Sequence, residues 1–468
     1  MLSSLLLSLL AVAAASDPTA ADLHRVTHLP GYGEVNGVYA GHVLANKTSN
    51  GYLWYMLFEH DDDDDEETPL LIWLNGGPGA SSSLGNLLEN GPYRLQPNMT
   101  LTENPSSWAR LGHCAYFDQP VGTGFSYSDA GGYVTDFHQL ASQFLTALEN
   151  FFEIHPNLRN ARTFITGESF AGVYIPVITS YLLEESRQLP EEKRINLEGM
   201  IIGNPGNLHW KQYHASIEYY YVQGLIGKDE RAHAEGMWRS VESLMSEGRE
   251  FEAFRSAEEM QEYLQSAAGH PFLYDTRQWG DTFNNIYSAA MKKYFARADV
   301  AAALHTGGVK WQNGDGTAAP NPVVMNLQKE LMKPVLKDVQ TVLSAAIPTM
   351  IYTGVFDGSS CGHLSVMEAL HMLGYEPFET ASRELWEGPN HPFGFVQSGG
   401  ALTFVWVSNS GHMVPTDQPE AALDMMDRFI HNRSLAGKNE VPWRPAADAE
   451  KVGNDRLNPS QSWAARFD

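Results

Sequence analysis

Ser169 stands in TFITGESFAGVY, residues 163–174, where a short apolar strand pattern runs into a sharp turn and then a helical pattern. Small residues at Gly167 and Ala171 let the chain double back and present the hydroxyl at the turn, the setting of a nucleophile elbow. The helix N-terminus that follows favours negative charge developing beside the serine. A nucleophilic serine needs a base, and the base needs a carboxylate to orient it. Of 17 histidines, His412 in LTFVWVSNSGHMVPTDQP lies in the loop just after an apolar strand. Asp357 in TMIYTGVFDGSSCG also follows a strand, whereas Asp338 in KPVLKDVQTVL falls in a helical pattern. The stretch IWLNGGPGASS, residues 72–82, is a glycine-rich loop after another strand. Its Gly77 amide, with that of Phe170, is assigned to stabilise the oxyanion of an acyl transfer. Glu168, directly before the serine, has no evident place in this relay.

The elements that must hold these residues read as short apolar strands: LLIWLN, CAYFD, TFITG, GMIIGN, TMIYTG and LTFVWVS. Helical patterns such as FHQLASQFLTALENFFEIH and FAGVYIPVITSYLLEESR separate them. The alternation predicts an α/β fold with a mostly parallel central sheet flanked by helices, with ligand chemistry at the C-terminal ends of the strands. The order Ser169, Asp357, His412 is that of α/β-hydrolases. VYAGHVLANKTSNGYLWYMLFEH reads as a β-hairpin around a Thr-Ser-Asn-Gly turn. The acidic run that follows it, residues 61–67, reads as a solvated loop, since calcium binding needs spaced ligands and a turn glycine. Between about 207 and 340 the pattern turns helical and rich in Glu, Met and Ala, with no strong strand before TMIYTG. A helical cap inserted over the strand ends is expected there.

Residues 1–16 read as a signal peptide, an apolar run followed by small residues, which leaves 17–468 as a single catalytic domain. No later segment offers the ~20 uninterrupted apolar residues that a membrane span needs. Sequons at Asn46, Asn98 and Asn432 fit secretory routing, to an extracellular or a vacuolar/lysosomal destination. A net charge of −25 disfavours nucleic acid and anionic membranes as partners. Cys114 and Cys361, the two cysteines present, lack metal-ligand spacing; one bridge or two buried thiols remain open.

WLNGGPGASS, YFDQPVGTGFSYS (116–128), TGESFAGVYIP, IIGNPG and SNSGHMVPTDQP together resemble the serine carboxypeptidase family. The likeness extends from about residue 38 to the helix after Pro419 and includes ARADVAAALH and Trp311. It implies an α/β-hydrolase that removes single residues from the C-termini of peptides and proteins, without metal or cofactor. It also implies a role for Glu168, which with Glu89 helps bind the terminal carboxylate of the substrate. Asn75 and the Gly76 amide complete that clamp, and Trp73 orients it. Two carboxyls in one buried site share a proton and can then donate to a carboxylate, so binding should favour acidic pH. A related acyltransferase, or a silent homologue that binds a partner, shares the scaffold; an intact clamp argues against the first and an intact triad against the second. The chain departs from the family in its cysteines. Ala80 replaces one in the Gly-Gly-Pro-Gly block, and those that brace the cap are missing. Val355 replaces an aspartate, and Cys361 lies four residues after Asp357 where three are usual.

Overall fold

Along Leu70-Leu71-Ile72-Trp73-Leu74 every side chain is buried, yet they divide between two cores. Leu70, Ile72 and Leu74 join one, while Leu71 and Trp73 join the other. Alternation with burial on both faces is what a strand between two helical layers must show. The computed structural model describes residues 19–60, 68–129, 131–190, 193–280, 288–312 and 321–438. The expected signal peptide and the acidic run at 61–67 lie outside the described residues.

The strands are β1 (Arg25–Leu29), β2 (Gly33–Asn46), β3 (Gly51–Phe58), β4 (Leu70–Leu74), β5 (Tyr93–Leu95), β6 (Leu101–Glu103), β7 (His113–Phe117) and β8 (Thr163–Glu168). They continue with β9 (Leu197–Gly203), β10 (Pro271–Phe272), β11 (Asp275–Trp279), β12 (Thr349–Gly354), β13 (Arg383–Glu387), β14 (Pro392–Gly399), β15 (Leu402–Val407) and β16 (Gly437–Lys438). Twelve of them form one sheet in the order β1-β2-β3-β7-β4-β8-β9-β12-β15-β14-β13-β16. From β7 to β15 all neighbours are parallel. Antiparallel pairs flank this centre, among them the expected β2–β3 hairpin.

Helix α1 (Phe137–Ile154) buries Phe137, Leu140, Phe144, Leu148 and Phe151, one stripe at helical spacing. Each such side chain contributes roughly 2 kcal/mol of burial. Asp136 starts the helix by accepting from the Gln139 amide at 2.8 Å. Helix α2 (Ala171–Ser186) covers the same sheet face.

Between β9 and β12 the chain leaves the sheet. Helices α3 (Gln212–Val222), α4 (Lys228–Ser246) and α5 (Glu250–Ala267) pack around a third cluster that includes Tyr213, Trp238, Met260 and Leu264. The β10–β11 hairpin follows, in a region where the sequence suggests no strong strand. It carries little apolar alternation because its partners are loops of the site, not a core.

Cys114 and Cys361 are both buried free thiols, so the second of the two readings holds. Burial pushes both thiols well above their ordinary range.

A buried hydrogen-bond chain pins β3 to its neighbours. Tyr55 Oη lies 2.8 Å from His24 Nδ1 and 2.7 Å from His155 Nε2, just past the end of α1. The hydroxyl has one proton, so it donates to one imidazole and accepts from the other. Burial, then the nearby His305 and His42, lowers His24 to about 4. Burial, then His24, lowers His155 to about 3. Below about 6.5, the unfolded value for histidine, the native state therefore holds fewer protons than the unfolded one. Stability is complete above that pH and is lost as pH falls toward 4 and 3. Thermal denaturation should show His155→Gln melting lower than wild type at pH 6.5, with a smaller further loss by pH 4.5.

Candidate active site

Five neighbouring strands, β4, β8, β9, β12 and β15, end on one edge of the sheet, and a residue of the site follows each. Ser169 comes directly after β8 with φ of +66°, a left-handed backbone that costs a non-glycine residue roughly 1–2 kcal/mol. Three backbone bonds hold that turn. The Ser169 amide donates to Gly203 O (3.0 Å), and its carbonyl accepts from Gly172 (2.8 Å) and Gly206 (2.9 Å). Ser169 remains partly exposed.

Asp357 follows β12 and His412 follows β15. Their contact is 2.6 Å from His412 Nδ1 to Asp357 Oδ2, and both side chains are buried. Asp357 accepts three further bonds: from Asn204 Nδ2 (2.7 Å), the Ser359 amide (2.9 Å) and the Ser359 hydroxyl (2.6 Å). Nδ1 is thus committed to the acid, and Nε2 is the ring nitrogen left for proton transfer. Among the described residues the Ser169 hydroxyl makes no hydrogen bond, so the relay is closed on its acid side and open on its serine side. Such contacts often tighten only with substrate bound. Asp338 lies on a helix (Leu336–Ser344) and accepts from Ser180 Oγ, away from the relay.

The loop after β4 lies against the elbow. A Cβ on Gly76 would sit 2.2 Å from Phe170 N, so glycine alone permits this approach. Among the described residues the amides of Gly77 and Phe170 have no acceptor. Asn75 is held on two sides, its amide donating to Ser82 Oγ (3.0 Å) and its Oδ1 accepting from Trp73 Nε1 (2.7 Å) and Gly85 N (3.0 Å). Trp73 packs edge-on against Trp108.

Glu89 ends a short helical stretch (Gly85–Glu89), and Glu168 ends β8. Both are almost fully buried, at 2% and 4% exposure, and they hydrogen-bond each other. Each has a buried Oε2 that no N–H or O–H of the described residues reaches. Burial raises both above the ordinary carboxylate range. The two differ in their surroundings. Glu89 itself, then Asp357 and Asp417, push Glu168 further up, whereas His412, Asn75 and Arg94 favour the charge on Glu89. Burial raises the pair together, so it holds a proton above the ordinary carboxylate range.

Four residues that the sequence reading left unassigned belong to the framework of this site. Asn204 steadies the acid, as above, and stands within the quoted IIGNPG. Asp118, within YFDQPVG, accepts from Ser81 Oγ (2.6 Å), Ser82 N (3.0 Å) and Phe125 N (2.9 Å) and so anchors the loop that carries Asn75. Burial raises Asp118 to about 7 against those donors. The Tyr274 ring lies tilted against the His412 ring at 4.5 Å between centroids, and Arg277 bonds the loop around it. Neither has a signal in the sequence, because the β10–β11 hairpin reaches the site only in three dimensions. The sequons are peripheral: Asn98 and Asn432 are exposed and Asn46 is half-buried at the end of β2.

A profile of the serine carboxypeptidase family, Peptidase_S10, matches residues 30–432. The chain belongs to the serine carboxypeptidase family. It is 32% identical over 457 residues to the pheromone-processing carboxypeptidase KEX1 of Sordaria macrospora, covering 91% of this chain and 69% of that one. The corresponding KEX1 of Coccidioides posadasii is also 32% identical, over 87% of this chain and 67% of its own length. The crystal structure of a prohormone-processing carboxypeptidase from Saccharomyces cerevisiae superposes with a TM-score of 0.75. At 23% identity it covers 84% of this chain and 91% of that one, which shows a common fold. The protein is thus a serine-type carboxypeptidase with an α/β-hydrolase fold, and its substrates are peptides. No helix among the described residues is long and apolar enough to cross a membrane.

Asp357→Asn presents a donor where Nδ1–H needs an acceptor, so kcat should fall about 10³–10⁴-fold with KM nearly constant. Asn204→Ala removes one of four supports of the acid and should lower kcat by about tenfold. Steady-state kinetics on a blocked dipeptide measures both.

Proposed function

We propose that Ser169, His412 and Asp357 cleave the last peptide bond of a polypeptide and release its C-terminal residue. His412 Nε2 takes the Ser169 proton as Oγ bonds to the scissile carbonyl carbon. The oxyanion that forms accepts from the amides of Gly77 and Phe170. When the C–N bond breaks, the proton on Nε2 goes to the departing amine and Oγ keeps the acyl group. Water then repeats the sequence. It gives a proton to Nε2, its oxygen adds to the acyl carbon, and Oγ leaves with the proton returned. Asp357 holds the ring in one tautomer and stabilises the imidazolium.

The observation that carries the exopeptidase reading is the buried Glu89–Glu168 pair directly before the nucleophile. Sharing one proton, the pair donates to the terminal carboxylate of the substrate, with Asn75 and the Gly76 amide beside it and Trp73 holding Asn75 in place. Fully ionised, the pair repels that carboxylate. Because the pair's pKa is raised, the binding-competent form exists at acidic pH and is lost as pH rises through the raised value.

Residues 17–468 act as one catalytic domain whose helical cap, about 207–340, stands over the strand ends. The amino-terminal apolar stretch and the three sequons support a secretory route, with residues 1–16 removed and glycans on Asn46, Asn98 and Asn432. The destination is extracellular or vacuolar/lysosomal.

Release of the C-terminal residue from an N-blocked dipeptide, compared with its C-terminal amide, tests the clamp across acidic to mildly alkaline buffers. Wild type should prefer the free acid at low pH, with KM rising as pH rises. Glu168→Gln, neutral at every pH, should flatten that rise while leaving kcat within about threefold. Ser169→Ala should abolish turnover of both substrates. A KM for the free acid that does not change with pH would refute the shared-proton clamp. Folded enzyme without release would point to acyl transfer or to a silent homologue.

A further inference from the structure

The β10–β11 hairpin belongs by sequence to the segment between β9 and β12, yet it sits on the two loops that carry His412 and Asp357. Three backbone bonds and one from the Thr276 hydroxyl join it to them, besides those of Arg277. Tyr274 O accepts from His412 N at 2.7 Å, and Leu273 O accepts from Gly358 N at 3.0 Å. Phe356 O accepts from Thr276 N (3.0 Å) and from Thr276 Oγ1 (3.1 Å). The approach is closest at Gly411, next to the histidine, where a Cβ would lie 2.3 Å from Tyr274 O and 2.7 Å from Asp275 Cβ. Both members of the buried His412–Asp357 pair thus have a hairpin backbone bonded at or beside them.

One side chain ties this contact together. Arg277 forks onto Asp275 through Nε (2.7 Å) and Nη2 (2.8 Å). Its Nη2 also reaches Asp417 Oδ2 (3.0 Å), and its Nη1 reaches Asn409 O (2.6 Å) and Asn409 Oδ1 (2.7 Å). Asn409 and Asp417 bracket His412 in one loop, and Asp417 Oδ2 in turn accepts from Gly411 N at 2.7 Å. The guanidinium therefore spans the hairpin and both sides of the histidine loop, and it covers the Phe356 ring beside the acid at 5.1 Å. A planar fork with five donors suits this task and an ammonium does not.

We propose that Arg277 is a positioning residue for catalysis, locking the β10–β11 hairpin onto the loop 409–417 so that His412 keeps the orientation proton transfer requires. The proposal rests on the reading of Ser169, His412 and Asp357 as the relay. Arg277 acts through His412 and touches neither substrate nor the reacting atoms. Without the fork, Asp275 and Asp417 face each other with no cation between them. The hairpin separates from the loop, and the Tyr274 carbonyl and ring leave the histidine. Glu89 and Glu168 stand on other elements, so the geometry of substrate capture is retained and only the smaller influence of Asp417 on the pair changes.

The test uses the full chain as wild type, Arg277→Met, Arg277→Lys and Ser169→Ala. Turnover of a blocked dipeptide is expressed per active site titrated with a fluorophosphonate, and melting temperature is recorded in parallel. Arg277→Met should lose at least about tenfold in kcat with KM within about twofold, the pattern of an interaction that matters in the transition state. Its rate of fluorophosphonate labelling should fall in step. Arg277→Lys keeps the charge but not the fork, so its kcat should be intermediate; it also decides the matter if the Met variant does not fold. Wild-type kcat per titrated site in the folded variants, whatever their melting temperatures, overturns the proposal. So does a rise in KM at constant kcat, which would make the hairpin a substrate wall. Persistent turnover by Ser169→Ala would sink the relay itself and is distinguishable from either result.

Discussion

The hydrogen bond between His412 Nδ1 and Asp357 Oδ2 joins the loops after β15 and β12, two adjacent parallel strands. In a parallel sheet all strands end on the same edge, so groups far apart in sequence meet there without the chain crossing itself. Ser169 follows β8, Asn204 follows β9, and the Asn75-Gly76-Gly77 stretch follows β4, each on that edge. The sheet register holds these ends level. Gly167 stands opposite Leu74 and Ile202, and Glu168 opposite Gly203. Two apolar layers fix the register in turn, because a slip of one residue would exchange the sets of side chains facing each core.

Burial gives carboxyl side chains different surroundings at different places. Asp357 is buried with four donors, an arrangement that suits an acceptor-only carboxylate. Glu168 is buried beside another carboxyl and within reach of two more negative groups, which together raise it above the ordinary carboxylate range. A carboxylic acid held neutral can donate a hydrogen bond, which an ionised one cannot. In the proposed mechanism a protonated glutamate next to Ser169 carries no charge to oppose the oxyanion. In that mechanism the elbow serves two ends through adjacent residues, Ser169 toward the scissile carbonyl and Glu168 toward the end of the chain.

The loops at the strand ends are long enough to need external support, and two kinds are present. Beneath them, Asp118 gathers the backbone around Ser81, Ser82 and Phe125, and Trp73 holds Asn75. Above them, the β10–β11 hairpin meets the histidine and acid loops through its carbonyls and through Arg277. Glycines mark the points of closest approach, Gly76 against the elbow and Gly411 against the hairpin. Rigid strands with braced loops are what orientation-dependent chemistry requires.

Much of this protein was written in its one-dimensional pattern. Alternating strands and helices predicted the fold, and five sequence blocks carried the resemblance to the family. An elbow with Gly167 and Ala171 around Ser169, with an acid and a histidine each placed after a strand, supplied the residues proposed for the relay. Those features are local: a period of two or of 3.6, a turn that needs small residues, a loop after a strand. Other features are not. The sequence left open whether Cys114 and Cys361 pair, and the fold buries them as separate thiols. Asn204 and Asp118 stood inside quoted motifs without a role, since which polar group meets which depends on strand neighbours. The hairpin carrying Tyr274 and Arg277 left no trace, because its polar residues form no periodic face and these two find their partners in the 409–417 loop, more than a hundred positions away. Sequence determines what local propensity and burial pattern can specify. Contacts between loops, and the upward shift of the buried Glu89–Glu168 pair, exist only once the sheet has brought distant residues to one edge.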